Sequence, residues 1–289
     1  MKQILFDFWN FIKKPKDFQY SGNDKSYKWK VFFTFFGLEL LLLAVYIPLF
    51  DLLEKVYTLE HLMDEMYFSV IGTFFILVLF VPFLEEVFFR LGLRRKGFLY
   101  NLFSEKAWNK LFPIFVYGSS LLFGFIHLTN YTNTDWIFYS LAPFIVLTQI
   151  IGGFFMSYLR VRFNFWLSCL YHFSWNFAMF FILGSISMLF TKDINVKTND
   201  YELQIKERQF LSLTDPKQIS FQEGEDNKII SLESDQYGVN EILEMVNINN
   251  KDYIPQPVLI KLNFKSEKGI SKDSLLILLG EHEYLKRRK

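Results

Sequence analysis

A small set of polar side chains lies inside long apolar stretches of this 289-residue sequence, and their chemical types suit acid–base work. They are Glu39, Glu85, Glu86, Arg90, His127, His172 and the amide Asn176. Ionisable groups are costly at membrane depth, so each one is a hypothesis for a functional residue. Together they offer a general base, a second group to handle protons or bind a metal, and donors that stabilise an oxyanion.

Glu85 and Glu86 stand side by side near the end of an apolar run, and they cannot share one role. Neighbouring helical residues point about 100° apart, whereas residues four apart lie on one face. Glu86 is therefore predicted to pair with Arg90, which leaves Glu85 free to face a different cavity as a general base. The plain alternative is a salt bridge at the end of a membrane helix.

Two histidines extend this set. His127 ends a third apolar run, and His172 and Asn176 lie four residues apart in a later one, on one face of a helix. A single histidine in such a run is more often a packing residue than a catalyst. Two histidines, an amide and a paired glutamate on three separate helices favour a functional site.

Membrane-spanning helices are needed to hold these residues. The composition is 51% hydrophobic and 20% aromatic, which is not typical of an ordinary soluble domain. A spanning helix needs about 20 mostly apolar residues. The five predicted spans are Val31–Phe50, Met66–Leu84, Leu111–Leu128, Trp136–Tyr158 and Phe163–Phe190. The second is predicted to continue as a helix through Arg90.

The segment 1–30 is predicted to form an amphipathic helix at the membrane surface, and a disordered basic leader is the alternative. The apolar positions of this helix are Ile4, Leu5, Phe8, Phe11 and Ile12. The first 30 residues carry seven lysines, the loop Asp51–Glu65 carries five acids and one lysine, and Arg90–Lys110 carries six basic residues. This alternation matches the positive-inside rule with a cytoplasmic N-terminus, and five spans then place the C-terminal region outside.

The chain becomes polar after Phe190, where 15 basic and 17 acidic residues follow. This shift predicts an N-terminal segment over 1–30, a transmembrane core over 31–190 and a C-terminal domain over 191–289. Strand-like alternation over Tyr201–Lys206 and Gln256–Phe264, with short helices at Val239–Val246 and Ser271–Leu279, predicts a small α+β domain. The expected fold is an all-α polytopic membrane helix bundle of about five spans with this α+β domain outside the membrane.

Three motifs resemble those of the CPBP intramembrane proteases, the family that contains type II CAAX prenyl endopeptidases and bacteriocin-processing or immunity proteins. The family motifs are Glu-Glu-x-x-x-Arg, Phe-x-x-x-His and His-x-x-x-Asn. The matching residues are Glu85, Glu86 and Arg90 for the first motif, Phe123 and His127 for the second, and His172 and Asn176 for the third. Each motif alone is weak evidence, but the three in order make the resemblance specific over residues 66–180.

The resemblance implies a role for each of these residues. Glu85 would activate a water molecule with help from His127. His172 and Asn176 would stabilise the oxyanion of the tetrahedral intermediate. The ion pair of Glu86 with its arginine would hold the site in shape.

The sequence leaves the need for a metal open. It lacks His-Glu-x-x-His, the usual zinc pattern on a single helix. Glu85, His127 and His172 are nevertheless candidate zinc ligands, since two histidines and a glutamate form an accepted catalytic zinc shell. We expect water activated by Glu85 without an obligatory metal, and zinc is the alternative.

The expected function is an intramembrane endopeptidase that hydrolyses membrane-associated peptides. The alternative is a non-catalytic scaffold or immunity-type protein that binds a peptide or another membrane protein. A transporter gains little support, because no pair of corresponding broken helices is visible in two halves. The expected partners are a peptide or membrane-protein substrate and the lipid bilayer, and the net charge of +1 gives no indication of nucleic acid. The expected location is the bacterial cytoplasmic membrane.

Overall fold

The structure of the chain is a computed structural model that describes residues 1–61, 66–248 and 251–288. It divides into two compact units. The helical unit comprises Met1–Tyr57 and Phe75–Ala178, and the mixed unit comprises Thr58–Phe74 and Met179–Lys289. The domain bounds expected at residues 30 and 190 stay a prediction.

Helices make up most of the first 190 residues. In chain order they are α1 (Lys2–Lys13), α2 (Tyr27–Val56), α3 (Val70–Gly72), α4 (Val81–Arg90), α5 (Phe98–Leu102), α6 (Glu105–Ile126), α7 (Trp136–Ile145), α8 (Leu147–Arg162), α9 (Phe165–Phe177) and α10 (Gly184–Phe190). Two π-helical segments, Thr73–Phe80 and Ala178–Leu183, connect α3 to α4 and α9 to α10. A turn of 3₁₀ helix, His127–Asn130, directly follows α6.

Several of these helices are long and apolar enough to cross a membrane. Within the described ranges there are four, and the number becomes five if a bent pair counts as one span. The four are Tyr27–Val56, Val70–Arg90, Glu105–Asn130 and Phe165–Phe190, and the bent pair is α7 with α8. The prediction of a polytopic helical protein is therefore confirmed, with four to five candidate spans.

Two details of the predicted spans are wrong. The first helix does not end at Phe50, because α2 continues without a break through Val56 and includes the first part of the expected acidic loop. The last part of that loop, residues 62–65, lies outside the described residues. The fourth span is not one straight helix, since α7 and α8 meet at an angle of 42° at Val146. This bend follows Pro143, and proline is a common cause of sharp kinks.

The predicted amphipathic helix is present as α1, but its apolar face has a different partner from the one expected. Ile4 and Phe11 are buried in the core of the helical unit. The ring centroid of Phe8 lies 4.9 Å from that of Phe35 in α2 and 5.6 Å from that of Tyr158 in α8. The apolar face of α1 therefore packs against protein, and the location of this helix at the membrane surface stays a prediction.

Small residues let α8 lie close to its neighbours in the helical unit. A Cβ atom at Gly153 would lie 3.0 Å from the carbonyl oxygen of Ser120 in α6, so only glycine fits without a shift. The hydroxyl oxygens of Ser120 and Ser157 are 3.0 Å apart at the same interface, and both residues are fully buried. Close approach of this kind is a common way to pack helices in membranes.

The mixed unit contains an antiparallel sheet with strand order β1-β2-β6-β4-β3 and a separate pair of β5 with β7. The strands are β1 (Ile194–Lys197), β2 (Glu202–Arg208), β3 (Gln218–Glu223), β4 (Ile229–Gly238), β5 (Tyr253–Pro255), β6 (Leu259–Ile270) and β7 (Leu285–Arg287). Two helices, α11 (Val239–Met245) and α12 (Lys272–Glu281), share the buried core with the inner face of the sheet. Both expected strands and both expected helices are present, so the α+β prediction is confirmed.

Candidate active site

The helix α4 carries the first motif on two of its faces. Arg90 Nη1 lies 3.3 Å from Glu86 Oε1, and both side chains are completely buried. The pair forms because residues four apart stack along a helix. Glu85 points elsewhere, and 23% of its side chain is exposed. The structure thus contains the predicted ion pair and keeps the neighbouring carboxylate out of it.

The helix α9 presents a row of polar side chains at intervals of four residues. His172 lies between the two carboxylates of α4. Its Nδ1 is 3.2 Å from Glu86 Oε1, and its Nε2 is 3.5 Å from Glu85 Oε2. The imidazole ring therefore joins the enclosed ion pair to the more exposed carboxylate.

Ser168 is a member of the site that the motif analysis missed. Its hydroxyl donates a hydrogen bond of 2.5 Å to Glu86 Oε2, and the serine is fully buried. The carboxylate of Glu86 therefore has partners on both oxygens. A signal was present in the sequence, since Ser168, His172 and Asn176 repeat at intervals of four and must share one face of a helix.

Glu85 lies in the wall of an apolar cleft of about 720 Å³. The cleft is lined by Val81, Leu84, Glu85, Phe88, Phe89, Gly92, Leu93, Leu99, Trp108, Phe115, Ser119, Leu122 and Ile126. Of these described residues, Glu85 alone carries a carboxylate. The Ser119 hydroxyl is already used, because it donates a hydrogen bond of 2.6 Å to the carbonyl oxygen of Phe89. The cleft therefore offers a single acidic group in an apolar setting.

His127 begins the 3₁₀ turn after α6, and its ring is oriented by its own chain. The Nδ1 atom lies 2.7 Å from the carbonyl oxygen of Phe123. A carbonyl can only accept, so Nδ1 carries the hydrogen and the neutral ring has its lone pair on Nε2. The Phe123 ring contacts the rings of both His127 and His172, and His172 lies 3.5 Å from Glu85. The Nε2 atom of His127 is suited to accept a proton or to orient a water molecule.

The ring of Phe123 contacts three of the candidate residues. The Arg90 guanidinium lies over the ring face, 3.8 Å from its centroid. The rings of His127 and His172 approach at 4.9 and 5.5 Å in edge-to-face geometry. In the part of the chain that the structure describes, the Arg90 nitrogens have no hydrogen-bond acceptor in good geometry. The aromatic face therefore supplements the ion pair with Glu86.

Asn176 lies one helical turn after His172 and holds a backbone carbonyl of the preceding span. Its Nδ2 donates a hydrogen bond of 2.8 Å to the oxygen of Leu77, within a π-helical segment. In a π-helix that oxygen would accept from the residue five positions on, which is Pro82 and has no N–H. One amide N–H of Asn176 thus satisfies this carbonyl, and among the described residues the second N–H has no hydrogen-bond acceptor.

The candidate zinc ligands do not form a metal-binding cluster. Among the described residues, no group of three or more His, Cys, Asp or Glu side chains is arranged to hold a metal ion. His172 Nδ1 faces Glu86 Oε1 at 3.2 Å, and Nε2 faces Glu85 Oε2 at 3.5 Å. Whether the protein needs a metal stays a prediction.

The helices and the site define a polytopic membrane protein with a carboxylate–histidine centre beside an apolar cleft. Residues 67–178 match the family model described as type II CAAX prenyl endopeptidase Rce1-like. This match confirms the resemblance to CPBP intramembrane proteases over that stretch of the chain. It contains every candidate residue from Glu85 to Asn176 and leaves out α1, α2 and all the strands. No curated protein and no solved structure matches the chain.

Proposed function

We propose that the chain is an intramembrane endopeptidase in which Glu85 activates the water that attacks a peptide bond. The observation that carries this proposal is the different surroundings of two adjacent carboxylates. Glu86 is enclosed by Arg90, Ser168 and His172. Glu85 faces the cleft and is the carboxylate that a bound substrate can reach.

The reaction requires two proton transfers, and Glu85 can carry out both. Glu85 takes a proton from water as the water oxygen bonds to the carbonyl carbon. The resulting oxyanion receives hydrogen bonds from the second amide N–H of Asn176 and from His172 Nε2, which exchanges its 3.5 Å contact with Glu85 for the oxyanion. Glu85 then returns the proton to the leaving amine nitrogen as the C–N bond breaks. His127 orients the attacking water through Nε2.

The walls of the cleft support a membrane-associated peptide as the substrate. Several lining side chains are both apolar and exposed, with 81% of Phe88 and 64% of Leu122 accessible. They belong to candidate spans, where exposed apolar side chains face lipid. A peptide segment held in the bilayer can therefore approach Glu85 without leaving an apolar medium.

The orientation that accompanies this function places the N-terminus in the cytoplasm of a bacterial cell. The charge alternation between the spans supports it. Single cysteines at Lys14 and Lys268, in a Cys169→Ala background, can be labelled with a membrane-impermeant reagent in intact and opened cells. We expect labelling from opposite sides. Labelling of both from one side contradicts five crossings.

The function itself is tested in two stages. Mass spectrometry of membrane peptides from cells with and without this protein identifies substrates, and purified protein in liposomes is then assayed with them. We expect specific cleavage that a chelator leaves unchanged. If the protein binds a peptide but cuts nothing, with or without added zinc, the scaffold alternative replaces the protease. If a chelator stops cleavage, the mechanism needs a metal.

A further inference from the structure

A second buried carboxylate lies in α2, outside the stretch that matches the protease family. Glu39 is 3% exposed and sits in the middle of a candidate span. Burying a carboxylate in such a place costs free energy unless specific partners compensate for the lost water. The mechanism proposed above does not use Glu39. Its surroundings therefore need another explanation.

Two neighbouring helices form a pocket for the Glu39 carboxylate. Tyr171 of α9 donates a hydrogen bond to Glu39 Oε2. On the other side, a Cβ atom at Gly152 of α8 would lie 2.6 Å from Glu39 Oε1, so the glycine leaves room for that oxygen. The carboxylate is thus held between α8 and α9 in a space that larger residues would close.

The hydrogen bond is part of a longer contact between α2 and α9. Phe32, Phe36 and Glu39 lie on one face of α2, at the spacing of successive helical turns. The Tyr171 ring packs edge-to-face against Phe32 at 5.2 Å and against Phe36 at 6.1 Å. Trp175, one turn after Tyr171, packs against Phe36 at 5.6 Å. One face of α9 is therefore fitted to α2.

A different face of α9 carries the candidate active site. His172 directly follows Tyr171, so the rotation of α9 that satisfies Tyr171 also sets the direction of His172. A rotation of about 10° would move a side-chain atom about 6 Å from the helix axis by about 1 Å. Displacements of that size can reduce an enzymatic rate by about 10²-fold.

We infer that Glu39 is a positioning residue: through Tyr171 it fixes the rotation of α9, and so holds His172 between Glu85 and Glu86. The inference rests on the proposed function for its effect on catalysis. The placement of His172 can nevertheless be measured without a substrate. The two ideas can therefore fail separately.

The test compares the ring ¹⁵N chemical shifts of His172 in histidine-labelled protein in nanodiscs. The chain has four histidines, so a His172→Gln variant assigns the signal. Tyr171→Phe removes only the hydroxyl, and Glu39→Leu removes the acceptor. We expect both to shift the His172 resonances. With a substrate in hand, we expect kcat to fall about tenfold while KM stays within about twofold.

Two control variants separate positioning from general stability. Glu39→Gln keeps an oxygen that accepts the hydrogen bond from Tyr171, and we expect its His172 signal to match that of the wild type. Tyr46→Phe removes a different buried hydroxyl, on α2, which donates a 2.7 Å hydrogen bond to the Ile145 carbonyl oxygen. We expect it to lower thermal stability and to leave His172 unchanged.

The inference is overturned if Tyr171→Phe leaves the His172 resonances at their wild-type positions. It is equally overturned if Tyr46→Phe shifts them as much, because the effect is then a general loosening of the bundle. Shifted resonances in a protein that cleaves no peptide would support the positioning role and reject the protease. These outcomes do not depend on Glu39→Leu folding well, since Tyr171→Phe is a mild change.

Discussion

The charged residues on the two sides of α4 have opposite surroundings. On the enclosed side, Glu86 and Arg90 have no exposed surface, and α9 supplies further partners. On the cleft side, Glu85 keeps 23% of its side chain exposed and faces apolar walls. Adjacent residues of one type therefore have different surroundings because a helix turns them in different directions. The two carboxylates differ in their number of fixed partners, and the proposed difference in role rests on that number.

The largest expected effect is on the cleft side. Glu85→Gln keeps the shape of the side chain but cannot take a proton from water. We expect cleavage to slow by about 10²–10⁴-fold, the usual loss for a general base. Cleavage rates in liposomes measure this, and thermal unfolding in detergent is expected to match that of the wild type. Cleavage at the wild-type rate would remove Glu85 from the mechanism.

On the enclosed side, the expected effect is on folding. Glu86→Gln or Arg90→Ala leaves a buried charge without its partner, which costs about 3–5 kcal/mol. The yield of folded protein and its unfolding temperature measure this loss, with Glu85→Gln as the matched control at the neighbouring position. If Glu85→Gln is instead the unstable variant, the two carboxylates have been assigned the wrong way round.

A smaller effect is expected where Phe123 supports Arg90 and both histidines. Phe123→Leu keeps an apolar side chain but removes the aromatic face under the guanidinium. Phe112→Leu is the matched control, because Phe112 is also buried in α6 and packs against Trp108. We expect Phe123→Leu to cost about 0.5–2 kcal/mol more than the control in the free energy of unfolding. Equal losses would mean that the contact with Arg90 contributes nothing.

The smallest effect concerns the second polar side chain of the cleft. Ser119→Ala removes a hydroxyl that is committed to the Phe89 carbonyl. We expect a loss of about 0.5–1.5 kcal/mol in unfolding free energy, the net value of one hydrogen bond. Cleavage in the same liposome assay is expected to change by less than about threefold. A loss as large as that of Glu85→Gln would show that the cleft has a second reactive group.

Helical spacing was enough to predict which site residues share a face of the same helix. Residues four apart share a face whatever the helix packs against, so the pairing of Glu86 with Arg90 could be read from the sequence. The same spacing placed His172 and Asn176 together on α9. The apolar runs similarly predicted helices at membrane depth, because length and hydropathy alone decide that property.

The contacts between helices could not be predicted in this way. The position of His172 between Glu85 and Glu86 depends on how α4 packs against α9, and no local pattern encodes that distance. The contacts of Phe123 with Arg90 and the two histidines likewise depend on how the helices pack. The packing of α1 against protein could not be predicted either, because an amphipathic helix has the same sequence pattern whether its apolar face meets lipid or a protein core.

One strand of the mixed unit could not be predicted from the sequence pattern. β4 was not predicted, although it is an interior strand of the sheet and pairs with both β6 and β3. Its register shifts between Ser234 and Tyr237, where Gln236 adopts a positive φ of 66°. Such a bulge breaks the period of two on which strand recognition depends. A pattern with one extra residue cannot be recognised without its partner strand.

The apolar cleft beside Glu85 has a consequence for enzyme kinetics. A substrate that reaches it from the bilayer is dissolved in two dimensions, so collisions depend on its mole fraction among the lipids. Adding empty lipid at constant bulk concentrations of enzyme and substrate would then slow turnover, as surface dilution does for interfacial enzymes. The substrate concentration in such rate measurements should therefore be expressed as a mole fraction in the lipid rather than as a bulk concentration.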